Sequence, residues 1–323
     1  MFQRFQPKCT ILLITLALTF GGAIRANDDD ELDNLYRQGG SCTRTAIAAV
    51  RSCKLEKTAD AWLERGKCNN ITDAAKRDRC EATAIVDIEE AEGECDAQYE
   101  GRLALCAALG EDPYEPKFDP KKFVKPGDIG KSVQPNPFFS LVPGRTYIYQ
   151  GGGETVTYTV LRETRDILGV PCAVIHDVVT KNGEVIEDTT DWYAQDLDGN
   201  VWYFGEVAQN FVDGILANLD GSWIAGVDRA QPGIIMKAQP AVGNLYRQEF
   251  HLGTAEDMSE VTAVTGSTRT SAATCSGTCL VTRDFTPVEP GINTVKYYAP
   301  GIGLIAEENA ETKVRKQLVE IKQ

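Results

Sequence analysis

Two periodicities divide the chain. Residues 41–110 carry the helical one, in a stretch rich in Ala, Glu, Arg and Leu and free of proline. From Phe138 onward the period drops to two, as in Thr155-Val156-Thr157-Tyr158-Thr159-Val160, where threonines alternate with apolar residues. Between them, residues 111–137 hold six of the fourteen prolines: Pro113, Pro116, Pro120, Pro126, Pro135 and Pro137. Proline at that density removes the backbone donors that helix or sheet needs, so this segment reads as a linker lying extended along the second domain.

The period-two half predicts strands at Tyr147 to Gln150, Cys172 to Thr180, Glu184 to Asp188, Leu245 to Leu252, Val261 to Val264, Cys279 to Phe285, Asn293 to Tyr298, Leu304 to Glu308 and Lys313 to Ile321. Asn182-Gly183 closes one hairpin. Four Pro-Gly pairs, starting at 143, 232, 290 and 300, read as turns. The central stretch is Asp191 to Glu206, two aromatic-rich runs around Asp198-Gly199. A type I′ turn needs positive φ at both central residues, which this pair tolerates. A two-residue turn there makes Leu197 face Asn200, Gln195 face Trp202, Tyr193 face Phe204 and Asp191 face Glu206 on one side of the sheet. Trp192, Ala194, Val201 and Tyr203 take the other side. Aromatics on both faces mean that both are covered, or that one lines a cavity.

The expected fold class is therefore α+β: an N-terminal disulfide-stapled antiparallel helical hairpin, then an antiparallel β-meander forming a barrel, half-barrel or sandwich. The segmentation is 1–26 signal peptide, 27–40 acidic flexible segment, 41–110 cysteine-rich hairpin, 111–137 linker and 138–323 β domain.

Six cysteines give the hairpin its form. Cys42, Cys53, Cys68, Cys80, Cys95 and Cys106 are spaced 11, 15, 12, 15 and 11 residues apart, a palindrome. Eleven residues make about three whole turns, so Cys42 and Cys53 share one stripe of a first helix, and Cys95 and Cys106 one stripe of a second. Antiparallel helices facing through these stripes pair Cys42 with Cys106, Cys53 with Cys95 and Cys68 with Cys80, one of fifteen possible connectivities. With no histidine and no Cys-x-x-Cys in the segment, zinc is a poor alternative. The Asn70-Ile71-Thr72 sequon falls in the predicted turn, relevant only in a host that glycosylates secreted chains. Cys275 and Cys279 close a small loop around Ser276-Gly277, which leaves Cys172 as a buried, inert thiol.

Charge and targeting narrow the compartment and the partners. Arg4 and Lys8 precede an apolar stretch from Thr10 to Ala23, and Ala26 stands before Asn27-Asp28-Asp29-Asp30, the pattern of a secretory signal too short to span a bilayer. Cys9 lies ahead of the apolar run and is not placed for lipid attachment. The formal net charge of −14 becomes −17 once Arg4, Lys8 and Arg25 are removed. That charge argues against nucleic acid and anionic membrane surfaces as partners. The mature chain is expected outside the cytoplasm without a membrane span, where disulfides persist.

Asp191 to Glu206, with Gly221-Ser222-Trp223, Ala225-Gly226-Val227-Asp228, Gln231-Pro232-Gly233-Ile234 and Tyr246-Arg247-Gln248-Glu249, resembles a family of secreted bacterial hypothetical proteins. Its signature reads Asp-Trp-Tyr-Ala-Gln-Asp-x-x-Gly-Asn-Val-Trp-Tyr-Phe-Gly-Glu. The likeness runs from about Leu109 to Glu308. It implies an envelope or secreted location and brings no activity, ligand or catalytic residue.

Chemistry is sparse. No Gly-x-Ser-x-Gly, phosphate loop or His-Glu-x-x-His occurs, and Asp196-x-Asp198-Gly199-Asn200 lacks the spacing of a calcium loop. The expectation is a binding or interaction module whose curved sheet offers Tyr193, Trp202, Phe204 and Trp223 to a glycan or apolar ligand, with Arg247, Glu249 and His251 as a polar row on one strand. The alternatives are a hydrolase using carboxylates with His251 or His176, and an envelope structural protein docking through its hairpin. No cofactor is required. A divalent cation could sit between Asp191 and Glu206, whose like charges otherwise call for an arginine such as Arg247 or Arg229, or for splaying into water.

Overall fold

The computed structural model describes residues 28–323; the signal-peptide segment and Cys9 lie outside the described residues. Three helices come first: α1 (Asp28–Gln38), α2 (Ser41–Cys68) and α3 (Ala74–Leu109). Fifteen strands follow: β1 (Thr146–Gly151), β2 (Glu154–Ile167), β3 (Val170–Lys181), β4 (Glu184–Gln195), β5 (Val201–Val212), β6 (Ile215–Asn218), β7 (Trp223–Ile224) and β8 (Gln231–Met236). The rest are β9 (Leu245–Arg247), β10 (Glu249–Phe250), β11 (Met258–Arg269), β12 (Thr274–Phe285), β13 (Asn293–Ala299), β14 (Gly303–Asn309) and β15 (Arg315–Lys322). The architecture is α+β, a stapled helical arm on a nearly closed antiparallel barrel.

The arm follows from its cysteines. The bridges are Cys42–Cys106, Cys53–Cys95 and Cys68–Cys80, the nested order that the helical spacing predicts. Asp73 caps α3 by accepting from the Lys76 amide, and the sequon asparagine Asn70 lies exposed in the turn between the helices. Residues expected to be flexible instead form α1, docked on α2 by an Arg51–Asp33 ion pair at 2.6 Å. Ala46, Ile47, Ala49, Val50 and Leu105 bury the arm's proximal half. A two-helix hairpin has little core, so each bridge contributes on the order of 3 kcal/mol by restricting the unfolded chain.

The sheet runs β10-β8-β5-β4-β3-β2-β1-β15-β14-β13-β12-β11-β9. Its two ends, β10 and β9, are neighbours in sequence. Leu245–Arg247 pairs with β11 while Glu249–Phe250 pairs with β8, so one short kinked segment joins the two ends of the sheet over a few residues. This explains Pro232-Gly233, expected to be a turn but found inside β8. Proline lacks a donor, and a two-residue pairing with β10 at the seam asks little of it.

Turn chemistry sets the hairpins. Asn182-Gly183 is a two-residue turn with both φ values positive, and Leu168-Gly169, Gly152-Gly153 and Asp213-Gly214 repeat it. Asp198-Gly199 does not. Its loop is three residues long, with Asp196 facing Asn200 and only Gly199 at positive φ. The reason is Asp196, whose carboxylate accepts from the Asn200 amide, the Asn200 side chain and the Trp202 indole at 2.8–2.9 Å, a set of bonds that a tighter turn would break. The pairs beyond the turn are Gln195 with Val201, Ala194 with Trp202 and Tyr193 with Tyr203, one residue out of the expected register. A bulge between Tyr203 and Gly205 then restores it, so Trp192 faces Gly205 and Asp191 faces Glu206. Gly205 permits the bulge: its φ is +141°, and a Cβ there would lie 2.5 Å from the Trp223 carbonyl oxygen.

Because of that shift, Trp202 and Phe204 lie on the outer face, opposite Tyr193 and Asp191. They do not face a void. Phe118 and Phe123 of the proline-rich segment pack on both, with ring centroids 5.5–6.0 Å apart. The segment is also hydrogen-bonded to the hairpin, Val124 to Gln195 and Leu197 to Lys122 through backbone groups and the Asn136 amide to the Gln195 side chain. Phe123, Val124, Ile129 and Leu141 belong to the barrel's core cluster. Residues 114–137 thus pack as a layer on the strands.

Arm and barrel meet at a buried ion pair. The Arg102 guanidinium donates to both oxygens of Glu256 at 2.7–3.2 Å, with Gln98 on the Val288 carbonyl and Gly101 against Pro287 beside it. Removing one partner of such a pair leaves an uncompensated charge, a cost of about 3–5 kcal/mol. A fragment of residues 112–323 carrying Glu256→Gln should therefore melt cooperatively, and the same variant starting at residue 138 should not. Circular dichroism melts of the two fragments check this.

Candidate functional site

The inner face of the barrel is unexpectedly polar. Along β4, Glu187, Thr189, Asp191 and Tyr193 alternate inward, and across from them on β5 stand Asn210, Ala208, Glu206 and Tyr203. Thr189 pairs in turn with Asp177 on β3, which pairs with Tyr158 on β2. At one end this face opens into a cavity of about 640 Å³. Among the described residues, seven carboxyl side chains, those of Glu187, Glu206, Asp220, Glu249, Asp257, Asp284 and Glu289, line it together with the ammonium of Lys296. Ile186, Ala208, Phe211, Phe285 and Ile292 supply its apolar patches.

Each inward charge meets a different environment. Lys296 sits 2.8 Å from Asp284, which also accepts from Ser259 and Thr282. Attraction to Asp284 outweighs burial and raises the Lys296 pKa. Lys316 lies 3.0 Å from Glu154. Among the described residues no arginine is hydrogen-bonded to Asp191. Instead its Oδ1 accepts from the Tyr203 hydroxyl at 2.6 Å and the Tyr193 hydroxyl at 3.3 Å. The two rings stack at 4.4 Å, Trp223 stands edge-on to Tyr203, and the Trp223 indole donates to Glu249 at 2.7 Å. Burial raises the phenol pKa values well above 10, and the adjacent Asp191 charge adds to this, so both hydroxyls keep the protons they donate.

Glu206 differs from its neighbours. It is 91% buried and lines the cavity. Burial first, then the charges of Asp191 and Glu187, raise its pKa well above the ordinary carboxylate value. Burial also raises Asp191, while its two phenol donors act the other way, so Glu206 is raised further than Asp191. Of the opposed pair, Asp191 is held by the two phenols. Asp177 is raised the same way by burial, and its Oδ1 has no hydrogen-bond partner.

The other sequence candidates are placed as follows. Tyr193 and Trp223 are buried behind the carboxylates, and Trp202 and Phe204 are on the outer face. The expected row of Arg247, Glu249 and His251 is broken by the kink at the seam. Glu249 turns inward to Trp223, whereas the Arg247 guanidinium lies over the rings of Phe250 and Tyr114 at 4.7 and 5.3 Å. His251 has a buried Nδ1 without a partner and does not line the cavity. His176 is on the outside, 2.7 Å from Asp188. Of the nine residues named from the sequence, Glu206 and Glu249 line the cavity. Glu187 was within reach of the same argument, two alternations along the strand from Asp191. Asp257, Asp284, Glu289 and Lys296 come from distant strands and loops and carry no local signal.

Among the described residues no group of three or more His, Cys, Asp or Glu side chains is arranged to hold a metal ion. The Cys275–Cys279 bridge is present, and Cys172 is a buried free thiol whose pKa burial pushes up.

No protein-family profile matches the chain, and no curated protein does. Two solved structures are similar to part of it. One, from Bacteroides fragilis, is described as an exported protein with a YmcC-like fold; it shares 14% identity over 56% of this chain and 96% of its own, with a TM-score of 0.34. The other, described as a lipoprotein from Parabacteroides distasonis, shares 13% identity over 59% of this chain and 100% of its own, also with a TM-score of 0.34.

The raised carboxyls fix a sign. A carboxyl whose folded pKa lies above its unfolded value contributes fully below the unfolded value, about pH 4.3 for Glu, and loses that contribution as pH rises through the folded one. Glu206→Gln, which mimics the protonated side chain, should match the parent's stability near about pH 4 and exceed it increasingly toward about pH 8, by about 1–2 kcal/mol. Melts across that range check it, and a variant less stable than the parent near about pH 8 would show Glu206 to be a satisfied carboxylate.

Proposed function

We propose that this protein is an extracytoplasmic binding module that holds a small ligand in the open end of its barrel. Four disulfides support the compartment, since such bridges persist in oxidising surroundings. The resemblance of the Asp191 to Glu206 stretch to secreted bacterial proteins points the same way. No described helix is long and apolar enough to cross a membrane.

The single observation that carries the binding role is a cavity of about 640 Å³ walled by seven carboxyl groups and one ammonium. Ligand sites of this size combine apolar wall with a few polar groups, and a core built for stability alone would not hold so many carboxyls around a void. The aromatic platform expected from the sequence plays no part, because its rings are packed. Hydrolysis is less well supported: His176 is on the exterior and His251 is off the lining, so neither can exchange a proton with the cavity carboxylates. An interaction role for the arm has one observation in its favour, the exposed side chains of Leu55, Trp62, Leu63, Ile85 and Val86 on its distal half.

Ala208 is buried on the cavity wall, and Ala208→Trp should obstruct part of the void while leaving every cavity carboxyl residue unchanged. A thermal-shift screen of amines, sugars, alcohols and carboxylates on parent and variant tests the proposal. At least one class should raise the parent's melting temperature by about 2 °C or more and leave the variant unmoved. Equal shifts in both proteins, or none in any class, would overturn it.

A further inference from the structure

We infer that the outer face of the arm's distal half is where two copies of this chain pair, α2 against α2 in antiparallel order. This goes beyond the binding role of the barrel and does not depend on it.

The distal half of α2 is amphipathic with its polarity inverted. At about 100° per residue, Lys57, Asp60 and Glu64 fall on the side of Cys53 and Cys68, which reach α3 through their bridges. The opposite side carries Ser52, Leu55, Ala59, Trp62 and Gly66, spaced 3, 4, 3 and 4 residues apart and all exposed, with Leu63 at its margin. Leu55, Trp62 and Leu63 are 65–71% exposed. A helix turns its apolar stripe toward whatever covers it, and a narrow stripe of this period is the seam of a helix pair. Because the bridges fasten α2 to α3 on the other side, the seam is formed before anything docks on it.

The order of residues along the seam selects the occupant. Large Leu55 and Trp62 alternate with small Ser52, Ala59 and Gly66. In an antiparallel pair with its two-fold axis between Asp60 and Ala61, Trp62 of one copy meets Ala59 of the other, and Leu55 meets Gly66. A Cβ at Gly66 would touch nothing within 4 Å, so there is room for Leu55. A parallel pair would instead oppose Trp62 to Trp62 and Gly66 to Gly66. The antiparallel contact is self-complementary and closes as a dimer.

Charge gives the same arrangement. Arg65, whose guanidinium lies 5.0 Å from the Trp62 ring centre, is two heptads beyond Arg51 and on the same flank of α2. Arg51 binds Asp33, so that flank carries α1, which runs back along α2 from the Gly39-Gly40 turn and ends near its exposed Glu31. Like flanks face each other in an antiparallel pair. The register brings Arg65 level with residue 56 of the second copy, about one turn from the level of that copy's Glu31. The two-fold axis makes this contact twice.

A bilayer is the competing occupant. Helices that lie on membranes flank their apolar face with Lys and Arg, whereas α3 beside this face carries Asp87, Glu89, Glu90, Glu92 and Glu94 and no base between Arg79 and Arg102.

Sedimentation velocity of the full mature chain, from about 5 µM to about 1 mM, tests the inference, the range being set by the small area that a four-turn contact buries. The mass should rise from monomer toward dimer across it. Trp62→Glu should stay monomeric throughout and keep the parent's melting temperature, since the side chain is exposed. Arg65→Glu and Glu31→Arg should each weaken the dimer about fivefold or more, and the double variant should restore it, a rescue that unspecific adhesion would not give. A parent that is monomeric at about 1 mM overturns the inference, as does a dimer that survives Trp62→Glu. Failure of the double variant to recover pairing overturns the antiparallel order. A monomeric parent that binds phosphatidylcholine vesicles through Trp62 would assign the face to a bilayer instead.

Discussion

Closure of the sheet by a single kinked segment is the constraint on which the rest depends. Leu245–Arg247 and Glu249–Phe250 pair with strands at opposite ends of the sheet, and Gln248 between them donates its backbone amide to Asp257. An open sheet would leave two edges to be covered or charged. Sealing them converts one face of a meander into an interior, and only an enclosed interior can take carboxyls far enough from water to shift their protonation. The same kink sends Glu249 inward and Arg247 outward, so the seam also decides which of its own charges join the cavity.

The interior and exterior of the central hairpin are solved in different ways. Inside, carboxyls are accommodated by phenols and by lysines on the far strands. Outside, the aromatic residues are covered by the proline-rich segment, which makes few ladder bonds of its own and contributes rings instead. Tyr114 shows how far that layer reaches. Its hydroxyl donates to the Pro232 carbonyl, and its ring meets Phe250 and the Arg247 guanidinium, so the segment that covers the hairpin also holds the seam.

The arm is built on another principle. Its distal half has Ala84 and two bridges between its helices and little else buried, so covalent links do there what packing does in the barrel. The proximal part of α3 meets the barrel where Arg102 and Glu256 neutralise each other at low exposure. That pair is costly to break and gives little in return compared with an apolar contact, which makes it a determinant of how the arm is oriented more than a source of stability.

What the sequence by itself determined is local in origin. The helical repeat acting on the cysteine spacings gave the nested bridges, and period-two alternation with turn residues gave most of the strands and the Asn182-Gly183 hairpin. It also placed Asp191 opposite Glu206, but by way of two errors that cancel, a loop one residue too short and an unseen bulge at Phe204. A bulge is decided by what packs on it, here the Trp223 backbone against Gly205 and Phe118 and Phe123 against Phe204, and none of those residues is nearby in sequence. A second bulge, between Val179 and Thr180, likewise turns Asp177 to face Thr189 and not Asp188. A one-residue slip moves every later side chain to the opposite face, so the membership of the cavity could be settled only by the closed barrel, where strands from both ends of the chain bring Glu206, Glu249, Asp284 and Lys296 around one space.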